Sequence, residues 1–138
     1  MVHALREARR VLRPGGLLVD LRPAAKHRRI GLGTGGRWKL VGVMREGFDE
    51  DHDADRAVAR VLREGLFRLR SRTEFPLERV MDGMDDFRLW LREFGQRRTI
   101  AAHAWLVRRL ERALARRARR ARIVVRGPMG LRVLARVG

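Results

Sequence analysis

The side chains able to do chemistry are few and scattered. The histidines His3, His27, His52 and His103 lack the spacing of a ligand set, and there is no cysteine, which excludes disulfides and thiolate metal sites. No Ser-His-Asp arrangement and no zinc signature stands out. Carboxylates gather at Glu46, Asp49, Glu50, Asp51, Asp53 and Asp55. They precede an amphipathic stretch, where acids cap free N–H groups and complement the helix dipole. The alternative, a magnesium or calcium site, has suitable ligands but no calcium-loop spacing, so no metal is expected. Asp20 ends an apolar run and His27 lies in the loop after it. Ligands of open α/β sheets bind beyond the C-terminal strand ends, which makes these two the substrate-side candidates. The plainer reading pairs Asp20 with an arginine and leaves His27 exposed.

The strongest chemical signal is positive charge. The formal net charge is +17, and 31 of the 33 basic residues are arginine. Residues 96–138 hold 13 arginines against a single acid, Glu111. Arg108, Arg109, Arg112, Arg116, Arg117, Arg119, Arg120 and Arg122 fall in one short run. Such a surface suffices for phosphate contacts. Aromatic residues are not interleaved with the run, which argues against base stacking, and no sequence-reading motif is present. The plain alternative is a solvated helix face, with an arginine bias set by GC-rich codons. His103 lies near the apolar stripe of the same segment and reads as a core or boundary histidine.

These residues need elements to hold them. Val2, Leu5, Ala8 and Leu12 share one helical face, and that helix is expected to end at Arg13, before Pro14. Gly15 and Gly16 turn the chain into a short buried strand, Leu17 to Leu21. A basic, Gly-rich loop is expected from Arg22 to Gly36, then a strand over 38–45. Ala54, Ala57, Val58, Val61, Leu62 and Leu66 predict a helix after the acidic cluster. Residues 67–75 alternate with period two, the pattern of a half-buried strand, which Pro76 should end. Helices are predicted over 85–94 and 100–120. Ile123–Val125 and Leu131–Leu134 flank Gly127-Pro128-Met129-Gly130 and predict a closing β-hairpin. No internal repeat or linker is visible. The 45% hydrophobic content suits one globular α/β domain over 1–138, its 96–138 end a basic helix plus hairpin.

The run Arg-Val-Leu-Arg-Pro-Gly-Gly-Leu-Leu-Val, Arg10 to Val19, resembles the joint that leads into the fifth strand of class I, Rossmann-like S-adenosylmethionine-dependent methyltransferases. That family ends in an antiparallel strand beside the fifth, which suits the expected hairpin. The resemblance implies a partial Rossmann-like sheet with flanking helices, and a loop after Leu21 that faces substrate. It also implies that the cofactor-binding half is missing. The family's Gly-rich turn and ribose-binding acid come before this joint, which starts here at residue 6. Ile30-Gly31-Leu32-Gly33-Thr34-Gly35-Gly36 is similar to that glycine motif, but no acid precedes it and a strand follows it. It reads as a flexible loop, with a phosphate contact as the alternative.

The expectation is a methyltransferase-like part, inactive alone, that takes S-adenosylmethionine only when completed. Its cofactor-binding residues are unknown, and no residue is assigned as catalytic. A sheet without its first strands exposes an edge, so self-association or a complementing chain is expected. The alternative is a small basic module that binds nucleic acid nonspecifically through the arginine run. No stretch is apolar enough to be a signal peptide or membrane span, so no membrane partner and a cytoplasmic location are expected.

Overall fold

The computed structural model describes residues 1–101, 103–116 and 121–138. In chain order the elements are α1 (Val2–Val11), β1 (Leu17–Pro23), β2 (Arg28–Thr34), β3 (Arg37–Glu46), α2 (Asp49–Arg63), β4 (Phe67–Met81), α3 (Met84–Gly95), β5 (Ile100–Ala101), α4 (Ala104–Ala115) and β6 (Arg122–Arg136). The chain is α/β, and the strand pairs with a defined register, β1–β6, β2–β3, β2–β6 and β3–β5, are antiparallel. β6 is central: β1 pairs with its later half, β2 with its earlier half, and β4 also pairs with it. Two compact units result. The first comprises Met1–Ala25, Phe48–Phe75 and Pro128–Gly138, and the second Lys26–Gly47 and Pro76–Gly127.

In the first unit, α1 ends where Leu12 turns extended. Gly15, at a φ of 75°, takes a left-handed conformation that costs other residues a Cβ clash. Gly15 N–H then donates to the Arg136 carbonyl at 3.1 Å, and Arg136 N–H donates to the Gly16 carbonyl at 2.8 Å. The Pro-Gly-Gly joint thus fixes where β1 meets β6. Leu5, Ala57, Val58, Val61, Phe67 and Leu134 form this unit's core, with Leu18 packed against it. Side chains alternate across a strand, so Leu17, Val19 and Leu21 point the other way. They are 56%, 57% and 54% exposed.

The second unit is built around Phe87, which is fully buried among Ile30, Leu32, Met44, Leu106, Leu110 and Ile123. The glycine motif lies here as strand β2 and the turn after it. Thr34 pairs with Arg37, and between them Gly35 and Gly36 have φ of 55° and 75°. Two positive φ values in a two-residue turn are the primed geometry that matches strand twist. A Cβ on Gly31 would lie 2.3 Å from the Lys39 carbonyl oxygen and 2.7 Å from the Trp38 ring. These glycines serve hairpin closure, which corrects the expected loop over 22–36.

Four further expectations are corrected. The closing hairpin is instead one 15-residue strand, β6. Gly127 and Gly130 are not among the glycines with positive φ, so the chain does not reverse there. Gly127-Pro128 falls where β6 passes from its β2 ladder to its β1 ladder, a gap that tolerates a missing N–H. Pro76 does not end β4, which continues to Met81. Among the described residues β4 pairs with β6 alone, and proline is accommodated on an edge strand. Between Phe67 and Met81 the whole of β4 is exposed, so its alternation does not mark a buried face. Finally, the helix expected over 100–120 begins at Ala104, after the short strand β5.

Candidate functional site

The loop after β1 is held by arginine–carboxylate pairs. Arg22 Nε donates to both Asp20 oxygens at 3.0 and 3.1 Å, and its Nη2 donates to Asp55 Oδ1 at 2.8 Å. Arg132, from β6, donates to the same Asp55 oxygen at 2.7 Å and lies 3.6 Å from Asp20. Asp20 is therefore clamped by two guanidiniums, with its side chain only 11% exposed. Burial tends to raise the Asp55 carboxyl pKa, but the hydrogen bonds and charges of Arg132 and Arg22 outweigh it and hold the group below its ordinary value of 3.8. A depressed carboxyl contributes stability above its unfolded pKa and loses it as pH falls through the folded value. Hydrogen-exchange protection of α2, corrected for intrinsic rate, should therefore fall as pH drops below about 4. In Asp55→Asn that drop should be smaller. Identical profiles for the two proteins would contradict this role.

His27 belongs to the second unit, whereas Asp20 belongs to the first. The His27 ring accepts a hydrogen bond at Nδ1 from the Glu46 N–H, at 3.3 Å. The Glu46 side chain is fully buried. It pairs with Arg28 Nη1 and lies 3.6 Å from Arg98 Nη1, and Arg28 N–H donates to its Oε1 at 3.3 Å. The Arg28 guanidinium also lies 4.4 Å from the Phe94 ring centroid. Of the acidic cluster, Asp49, Glu50 and Asp51 occupy the first turn of α2, where they complement the helix dipole. Among the described residues no group of three His, Asp or Glu side chains is placed to hold a metal. His103 is exposed just before α4, not in the core or at its boundary.

A concave feature of the second unit lies between β3 and α4. It is a cleft of about 690 Å³ lined by Leu32, Lys39, Leu40, Val41, Trp105, Arg108, Arg109, Arg112, Ala113 and Arg116. α4 buries Leu106 and Leu110, and this orients the rest. Residues 105, 108, 109, 112 and 116 recur at helical spacing and line one side of the cleft. A Cβ on Gly42 would stand 2.6 Å from Leu106 and 3.2 Å from the Trp105 ring, so this glycine lets α4 settle close to β3. No carboxylate lines the cleft. None of its arginines forms an ion pair with a described residue, and Glu111, the acid on the same helix, pairs with Arg88. Arg117, Arg119 and Arg120 lie outside the described residues.

The sequence reading found these arginines but not their aromatic neighbour. Trp105 precedes the run and is not interleaved with it. The i, i+3, i+4, i+7 spacing from 105 was the available signal. Among the described residues no helix is long and apolar enough to cross a membrane. No protein-family model matches the chain, and no curated protein or solved structure matches it.

Proposed function

We propose that residues 1–138 form the acceptor-side part of a Rossmann-like class I S-adenosylmethionine-dependent methyltransferase, completed by a cofactor-binding half that lies outside these residues. The observation that carries this reading is the α1–Pro14-Gly15-Gly16–β1 joint with β6 antiparallel beside β1. The resembled family has the same joint before its fifth strand and the same sense of its last strand. β1 is the end strand of its sheet, with Leu17, Val19 and Leu21 exposed. An apolar edge of that kind invites a further strand and a covering layer.

In this reading the part supplies shape more than reactive groups. Methyl transfer depends chiefly on aligning donor and acceptor. The Arg22–Asp20–Arg132–Asp55 network fixes the loop that starts at the end of β1. Asp20 then acts as an anchor of that loop, and His27 is the better candidate for contact with an acceptor. The glycine motif of β2 takes no part in cofactor binding here, since it closes a hairpin and does not open a helix. Equilibrium binding of S-adenosylmethionine to the native polypeptide, compared with residues 1–138 alone, tests the reading. Binding by the native material only is the supporting outcome.

A further inference from the structure

We infer that the β3–α4 cleft binds single-stranded nucleic acid, with a base stacked on Trp105 and phosphates held by Lys39 and the α4 arginines. This goes beyond the methyltransferase reading and stands without it.

The charge in the cleft is uncompensated. Five cations line the cleft and no carboxylate does, whereas Arg22, Arg28, Arg88, Arg126 and Arg132 are each matched to an acid. Like charges held together on one short surface repel, and a polyanion relieves that repulsion while releasing its counterions. The second point is Trp105, which is 43% exposed although its neighbour Leu106 is buried. A half-exposed indole that lines a basic cleft offers a π-face to an unstacked base. From residue 105 to 116 the helix rises about 16 Å, a length that suits several nucleotides. The cleft volume is typical of sites that enclose small ligands.

The combination selects a single strand. A duplex keeps its bases stacked and presents mainly phosphates, so Trp105 would gain nothing from it. An acidic peptide would satisfy the arginines but has no general use for the indole face.

The test is fluorescence anisotropy of a labelled 12-nucleotide, mixed-sequence single-stranded RNA, with the whole chain, between 50 and 200 mM salt. Affinity should fall steeply with salt. Trp105→Ala should weaken binding on the order of tenfold with the salt slope unchanged. Trp105→Phe should recover part of the loss. Arg108→Gln with Arg112→Gln should lower the salt slope by about 1.4, two phosphate contacts on a single strand. Circular dichroism checks that each variant is folded.

Equal affinity of wild type and Trp105→Ala would overturn the proposal, leaving only a charged surface. Equal or tighter binding of the matching duplex would overturn it, as would competition by polyglutamate at the same charge concentration. So would absence of binding at 50 mM salt. None of these outcomes bears on S-adenosylmethionine binding, so the two readings fail separately.

Discussion

Replacing Glu46 by glutamine is expected to destabilise the second unit by about 3 kcal/mol. The carboxylate is fully buried and faces two guanidiniums, those of Arg28 and Arg98, whose side chains are only 14% and 16% exposed. Neutralising it leaves positive charge in a region with little water, and that desolvation is no longer offset. The residual exposure of the two arginines sets the effect at the lower end of what broken buried pairs cost. Trp38, Trp90 and Trp105 all fall in the second unit, and the chain has no tyrosine. Urea unfolding followed by tryptophan fluorescence therefore reports on this unit selectively. An unchanged midpoint in Glu46→Gln would contradict the structural role assigned to the pair.

The second large effect concerns β1. At tens of micromolar, residues 1–138 alone are expected to self-associate through the β1 edge, and Val19→Lys should return the chain to a monomer. Val19 is 57% exposed between the equally exposed Leu17 and Leu21, so lysine there costs the fold little. A charge on an edge strand is the device by which proteins block strand-to-strand pairing. Sedimentation equilibrium of both chains gives the answer. A wild-type chain that stays monomeric, with no change in Val19→Lys, would mean that the edge needs no partner.

Helices were the legible part of the sequence. α1, α2 and α3 carry apolar stripes at helical spacing, and the residues read as inward, such as Leu5, Val58 and Phe87, are buried. Strands were less legible because glycine and proline carry two meanings. In β2 the glycines allow close approach of β3 and its turn, yet by type alone they read as loop. In β4, Pro76 lies inside a strand it was expected to end, and in β6 Pro128 falls between two ladders, a fact that depends on which strands lie alongside. Pairing partners far apart in sequence decide such cases, and one sequence does not display them. The candidate site shows the same division. The arginines of α4 were visible as a run, whereas the cleft needs β3, Gly42 and Trp105 to be brought against them. The Asp20–arginine pairing was the plainer expectation, and Asp55 and Arg132 joined it only through the packing of α2 on β6.

The most direct measurement is calorimetric binding of S-adenosylmethionine to the native polypeptide that carries these residues, purified from source cells with whatever chain accompanies it. Residues 1–138 alone serve as the comparison. The expected result is one site per native assembly and none on residues 1–138 alone. A folded native assembly that binds no S-adenosylmethionine would contradict the methyltransferase reading, and binding by residues 1–138 alone would contradict the need for a completing half.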